Sequence, residues 1–146
     1  METTTMHEQG IISAANKIWQ HWTLMWNGDL PKADPLIEDG FCLHLTSTKN
    51  AIAEEINNAG KVKEFVIATR AKFQTIVYET LAGPFIDTRQ KTLCCHWKAM
   101  GIYSGNSGMP TDIAGTGFLI EGTDILKFNN GKIYECWTQS NPVINT

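Results

Sequence analysis

The apolar residues of this chain change their spacing near its midpoint, and this change limits the folds open to it. Between Glu8 and Trp26 they recur at steps of three and four residues, which predicts a helix with one apolar face. Beyond residue 75 the chain is rich in Val, Ile, Thr, Tyr and Trp, which pleated strands favour. Helices followed by strands predict an α+β fold with the helices packed on one face of a sheet.

The predicted helices lie in the first half of the chain. The first ends at Asn27-Gly28, a short second one follows Pro31, and a third spans residues 50–73 with a break near Gly60. The predicted strands are Phe41–Leu45, Thr75–Leu81, Lys91–Tyr103, Gly115–Phe128 and Lys132–Ser140. The turn Asn129-Asn130-Gly131 favours a tight hairpin, because Asn and Gly tolerate positive φ. We expect the long strands to form a strongly curved antiparallel sheet.

Length and composition exclude several classes of protein. With 146 residues the chain is expected to form one domain over residues 1–146. A hydrophobic share of 42% with 18% charged residues excludes intrinsic disorder. The net charge of −3, without a basic stripe, argues against nucleic acid as a partner. No apolar run approaches the roughly 20 residues of a membrane span, and METTTMHEQG lacks the features of a signal peptide, so a cytoplasmic location is the expectation.

The cysteines and histidines follow no familiar metal-binding pattern. Cys42, Cys94, Cys95 and Cys136 lie in strand-like apolar runs and form no CxxC pair, which predicts reduced, mostly buried thiols. The four histidines are scattered without ligand spacing, so no metal site is expected. The sequence also lacks a P-loop and a dinucleotide fingerprint, and we expect no cofactor.

Several stretches of the sequence resemble a known family. The segment Trp22–Leu30 reads WTLMWNGDL, and Gly101–Gly105 with Gly108–Asp112 resembles the mid-sheet turn of that family. The most specific stretch is Gly122–Phe128 followed by Gly131–Trp137, which reads GKIYECW. In this order, and over nearly the whole chain, the sequence resembles the SnoaL-like proteins, a branch of the nuclear-transport-factor-2-like (NTF2-like) superfamily.

The resemblance implies a cone in which three helices and a curved antiparallel sheet enclose a pocket that opens at one end. It also implies a homodimer formed through the outer face of the sheet, and a small, largely apolar, polyketide-like ligand. Founding SnoaL-like members are cofactor-free cyclases that close a ring by an intramolecular aldol reaction, while other relatives are hydrolases, isomerases or binding modules. Because one fold hosts many functions, the function must be argued from the site.

The candidate catalytic carboxylate stands at a different position from the catalytic Asp of the cyclases. Matching through the hairpin places the family's acid/base Asp on Thr138 and its helper His on Asp124. An Asp half-buried among apolar side chains would have a raised pKa, which suits a proton carrier. The alternative is that Asp124 is a structural polar residue, hydrogen-bonded to backbone near a bend of its strand.

Three further polar residues are candidates for the site. Tyr103 stands where the family often has a His, and its hydroxyl could donate to a developing oxyanion. His44 could act as a base, but it alternates with Phe41 and Leu43, so it faces away from the helices if these two face them. Asn141 stands near the end of the last strand, where ester-cyclase relatives carry Asp. Asn141 and Thr138 are candidate ligand-binding residues of the pocket.

Four tryptophans complete the predicted pocket. Trp22, Trp26, Trp97 and Trp137 could flank a planar ligand, or could simply pack in the core. Two functions remain open at this point. One is a cofactor-free cyclase, isomerase or hydrolase with Asp124 as proton carrier. The other is a non-catalytic ligand-binding or association module, which the absence of the usual carboxylates favours.

The outer face of the sheet predicts self-association. If the longest strand alternates regularly, this face carries Cys94, His96, Met100 and Ile102. The helices can cover only the other face, so a semi-apolar outer face favours a symmetric dimer.

Overall fold

A long amphipathic helix begins the fold, as the spacing of its apolar residues predicts. The computed structural model describes residues 5–45 and 50–142. Helix α1 spans Met6–Trp26, and Thr5 caps it by accepting a hydrogen bond from the Glu8 backbone N–H at 3.1 Å. The buried side chains of α1 are Ala15, Ile18, Trp19, Trp22 and Met25. Its apolar face therefore packs against the rest of the molecule.

The later helices are shorter than the sequence pattern predicts. A 3₁₀ turn at Leu30–Lys32 leads into α2 (Ala33–Leu36), and α3 (Asn50–Glu55) and α4 (Ala59–Arg70) replace the single broken helix expected over residues 50–73. The break falls before Gly60 because Asn58 caps α4, its Oδ1 accepting a hydrogen bond from the Lys61 N–H at 2.9 Å. None of the helices in the described residues is long and apolar enough to cross a membrane.

Five strands form one mixed sheet. They are β1 (Ile37–Leu45), β2 (Phe73–Asp87), β3 (Thr92–Tyr103), β4 (Gly117–Asn129) and β5 (Lys132–Pro142). Their order across the sheet is β1-β5-β4-β3-β2. Strands β2 to β5 are antiparallel neighbours, but β1 runs parallel to β5, so the prediction of a wholly antiparallel sheet is wrong. Hairpin signals cover only β2 to β5, and the partner of β1 lies far away in the sequence.

The predicted hairpin between β4 and β5 is confirmed. Asn130 and Gly131 have φ values of 52° and 77°, and Asn129 pairs with Lys132 across the turn. Two central residues with positive φ give the turn whose twist matches that of the strands. The register of the turn alone would place Asp124 opposite Trp137. A bulge at Tyr134 shifts the pairing by one residue, so that Asp124 lies opposite Thr138.

The helices pack against one face of the sheet, which confirms the α+β class. The main core joins α1, α2 and α4 to the inward-facing residues of β1, β3, β4 and β5. A second cluster lies where β2, β3 and β4 meet and consists of Ile76, Ala99, Tyr103, Phe118 and Ile120. The strong curvature expected of the sheet stays a prediction.

Candidate functional site

A cavity of about 160 Å³ lies between α1, α4 and the helix-facing side of the sheet. Its wall is mostly apolar, and seven aromatic side chains line it: Trp19, Trp22, Trp26, Phe41, Phe65, Tyr78 and Trp97. Four of these rings form a connected series. Trp22 meets Trp26 edge-on at 6.1 Å between centroids, and Tyr78 lies 5.5 Å from both Trp26 and Trp97. Such a wall suits a flat apolar molecule.

Asp124 is the single buried charged residue in the described part of the chain, with 5% of its surface exposed. It lines the cavity together with Thr138. The Trp22 indole donates to Oδ2 at 3.0 Å, and the Thr138 hydroxyl donates to Oδ1 at 2.6 Å. Burial raises the pKa of Asp124, because desolvation outweighs these hydrogen bonds, which favour the ionised form. The carboxyl group therefore holds its proton more tightly than an exposed Asp.

Trp97 lies close against the sheet because its cross-strand neighbour has no side chain. It pairs with Gly122, where an added Cβ would lie 2.3 Å from Trp97 Cζ2. The indole N–H is buried and has no hydrogen-bond partner among the described residues. The Trp97 indole still favours the ionised form of Asp124, although the indole N–H and the carboxylate do not meet the geometry of a hydrogen bond. A buried donor without an acceptor costs about 1–3 kcal/mol, so this N–H is a ready site for a ligand oxygen.

Tyr78 was not predicted from the sequence. Burial raises its pKa far above the ordinary value, with the Arg70 guanidinium opposing the shift and the Asp124 carboxylate adding to it. Its hydroxyl therefore stays protonated, so it can donate a hydrogen bond but is unsuited to act as a base. The available signal was strand alternation, since Tyr78 lies two residues after the buried Ile76 and so shares its face.

Tyr103 lies outside the cavity. It belongs to the second cluster, 3% exposed, and packs against Phe118 at 4.9 Å between ring centroids. Its hydroxyl forms a hydrogen bond of 2.7 Å with Thr111. The expected oxyanion donor is thus not brought together with Asp124, and Tyr78 stands at the cavity in its place.

His44, Trp137 and Asn141 lie on the outer face of the sheet. The His44 and Trp137 rings stack at 4.8 Å, and Asn141 borders a shallow surface depression beside His96. None of the three lines the cavity. Each is next in sequence to a residue that does, and neighbouring residues on a strand point to opposite faces. Of the predicted ligand-binding residues, Trp22, Trp26, Trp97 and Thr138 line the cavity, and their binding role stays a prediction.

Comparison with known proteins identifies similar folds among solved structures. No family model and no curated protein matches the sequence. Solved structures do match it. A protein of Jannaschia sp. CCS1, provisionally assigned as a SnoaL-like polyketide cyclase, has a TM-score of 0.70 and 9% identity, with 97% of this chain and 92% of that chain covered.

Two further structures carry a provisional polyketide cyclase assignment. Wild-type IdmH of Streptomyces antibioticus has a TM-score of 0.65 and 17% identity, with 86% of this chain and 91% of that chain covered. A protein of Acidithiobacillus ferrooxidans has a TM-score of 0.64 and 15% identity, with 96% of this chain and 92% of that chain covered. At these identities the likeness shows a shared fold, which confirms the resemblance drawn from the sequence motifs.

Proposed function

We propose that this chain, which has the fold of the SnoaL-like polyketide cyclases, binds a small aromatic carbonyl compound in its cavity and carries out cofactor-free acid/base chemistry on it. The observation that carries the proposal is one buried carboxylate, Asp124, in an otherwise mostly apolar, aromatic wall. An apolar wall provides affinity for the rings. A carboxyl group with a raised pKa can accept a proton and release it again.

Asp124 would act as the base and then as the acid. Its carboxylate would accept a proton from the carbon beside the ligand carbonyl, and negative charge would develop on the carbonyl oxygen. The carboxyl group would then return that proton to the product. The raised pKa makes the Asp124 carboxylate a stronger base than that of an exposed Asp, because the carboxyl group that it forms holds the proton more tightly.

Two donors would stabilise the developing negative charge. The Trp97 N–H is buried without a partner, and the Tyr78 hydroxyl is held in its protonated form. Both side chains line the cavity with Asp124. A ligand oxygen that accepts from Trp97 would recover the free energy now lost at that donor, and this gain grows as the oxygen becomes more negative.

The size of the cavity limits the ligand. An engineered protein cavity of about 150 Å³ holds benzene, so a volume of about 160 Å³ suits one ring or two fused rings better than an extended polycycle. The favoured ligand is therefore smaller than a tetracyclic polyketide.

A non-catalytic binding site is the second candidate, and one observation favours it. Both carboxylate oxygens of Asp124 already accept a hydrogen bond, from Trp22 and from Thr138. These bonds would suit a residue that only holds α1 and β5 in place.

Exchange of ligand protons separates the two candidates. The chain is incubated with naphthol and with a tetralone, and binding is measured by tryptophan fluorescence and by the rise in melting temperature. Exchange of the acidic C–H protons of the tetralone with deuterated water is followed by NMR. We expect Asp124→Asn to bind the tetralone but to exchange about two to four orders of magnitude more slowly.

The controls concern the cavity itself. Leu43→Trp fills the cavity and should abolish binding, while Leu24→Trp adds the same ring at an exposed position of α1 and should leave binding unchanged. Binding without accelerated exchange would support the non-catalytic site. Absence of binding by any one- or two-ring compound would contradict both candidates.

A further inference from the structure

A second group of reactive side chains lies on the outer face of the sheet, opposite the cavity. Cys42 and His44 are two residues apart on β1 and therefore share a face. Glu135 is the cross-strand partner of Cys42 on β5. The Cys42 Sγ, the His44 Nε2 and a Glu135 carboxylate oxygen all lie within 4.8 Å of one another.

The thiol and the carboxylate both contact the same ring nitrogen of His44. His44 Nε2 lies 3.5 Å from Cys42 Sγ and 2.8 Å from Glu135 Oε2. A catalytic triad would place the acid and the thiol on different nitrogens, so that a proton can pass through the ring. Here both partners meet the same nitrogen, which is incompatible with a Cys-His-Glu nucleophile. Three potential ligand atoms within 4.8 Å of one another can instead surround a metal ion.

We propose that Cys42, His44 and Glu135 form an open zinc site that joins the edge strand β1 to β5. Thiolate, imidazole and carboxylate are the three ligand types that zinc accepts in proteins, and the sulfur ligand disfavours magnesium and calcium. Donor atoms around tetrahedral zinc are separated by about 3.3–3.6 Å, given the usual zinc–ligand distances. The Sγ–Nε2 distance already has this value, and the other two need only small movements of exposed or half-exposed side chains.

The surroundings of the trio favour a stable site. The His44 ring is stacked on Trp137 with an interplanar angle of 10°, which fixes its orientation. The two anionic ligands would balance the charge of the ion, with the thiol proton released to solvent on binding. The fourth position would be filled by water. Because this face is separate from the cavity, the site does not depend on the proposed function.

The chain contains its own control for this site. Cys94 and His96 repeat the Cys-x-His spacing on β3, and His96 Nε2 lies 3.5 Å from Glu121. Among the described residues this second set does not converge as Cys42, His44 and Glu135 do. Cys94→Ser therefore removes the same chemical group from the same face without touching the proposed ligands.

Zinc titration of the reduced protein against a competing indicator tests the site. We expect one Zn²⁺ per chain, a thiolate charge-transfer band with Co²⁺, and a melting temperature raised by zinc. Cys42→Ser and Glu135→Gln should each weaken zinc binding by more than about tenfold. Cys94→Ser should behave as wild type.

Three results would overturn the proposed zinc site. Wild-type protein that binds no zinc, or that binds it as well after Cys42→Ser as before, overturns the proposal. Equal weakening by Cys94→Ser and Cys42→Ser also overturns it, since the binding would then be a general property of surface thiols. Melting temperatures without zinc show whether each variant is folded, and Glu135→Gln leaves every cysteine in place if Cys42→Ser fails to fold.

Discussion

Trp22 and Asp124 are joined by a hydrogen bond of 3.0 Å although they lie 102 residues apart in the chain. The bond connects α1 to β4 inside the cavity. Burying a carboxylate away from water is costly, and a donor at fixed distance recovers part of that cost. The same contact therefore positions the helix and maintains the one buried carboxyl group of the described chain.

Replacing Trp22 by Phe tests this contact. Phenylalanine keeps a six-membered ring and loses the pyrrole ring with its N–H donor, so we expect the free energy of unfolding to fall by about 1–3 kcal/mol. The pKa of Asp124 should rise further, because a hydrogen bond that favours its ionised form is gone. Trp19→Phe is the matched control, since the Trp19 indole donates to the Thr80 hydroxyl at 2.8 Å. Chemical denaturation should show a smaller loss there, and an equal loss would contradict a special role for Trp22.

Stability should depend on pH through Asp124. Burial raises the pKa of the folded carboxyl group above the roughly 3.9 of an unfolded Asp. Its contribution to stability is complete below about pH 4 and is lost as the pH rises through the folded pKa. Asp124→Asn has no such titration. The melting temperature of the variant minus that of wild type should therefore increase as the pH rises above about 4.

Asp112 provides the opposite trend as a control. Its pKa is lowered because hydrogen bonds from Ser107 and from the Gly105 N–H outweigh its desolvation. The stability that it contributes is present above the unfolded pKa and is lost as the pH falls through the folded pKa. Thermal unfolding of Asp112→Asn should thus show a difference from wild type that becomes more negative as the pH rises toward about 4 and stays constant above it. A trend of the same sign for both variants would contradict the assignment for Asp124.

Gly122 should be intolerant of any side chain. A Cβ at this position would lie 2.3 Å from the Trp97 ring, which must then move out of place. We expect Gly122→Ala to lower the free energy of unfolding by about 1–3 kcal/mol and to weaken tetralone binding. Gly117→Ala on the same strand meets its nearest atom at 3.7 Å and should cost less. Similar losses in denaturant titrations of both variants would show that the Trp97 contact is unimportant.

We also expect the outer face of the sheet to form a dimer interface. Ile125 is 37% exposed on this face and pairs with Trp137. Ile125→Lys would place a charge there and should shift the mass measured by light scattering at micromolar concentration from dimer to monomer. Ile113→Lys, at a loop residue that is 67% exposed, should leave the mass unchanged. A monomeric wild-type protein at every concentration would contradict this expectation.

Strand alternation explains which site predictions agree with the structure. Leu43 lines the cavity while His44 lies on the outer face, as the alternation along β1 predicts. The same rule separates Trp137 from Thr138. Both residues were predicted to line one pocket, but neighbours on a regular strand point to opposite faces, and only Thr138 lines the cavity.

Local sequence patterns determined the helices-then-strands order, the α+β class and the turn of the last hairpin. These features depend on contacts between residues close in the chain, so spacing and turn residues are enough to predict them. The parallel pairing of β1 with β5, which brings His44 to Glu135 across 91 residues, was decided by the tertiary structure alone. So was the meeting of Trp22, Tyr78, Trp97 and Asp124 around one cavity. Such contacts depend on how α1 and α4 dock on the sheet, and docking leaves no periodic signal in the sequence.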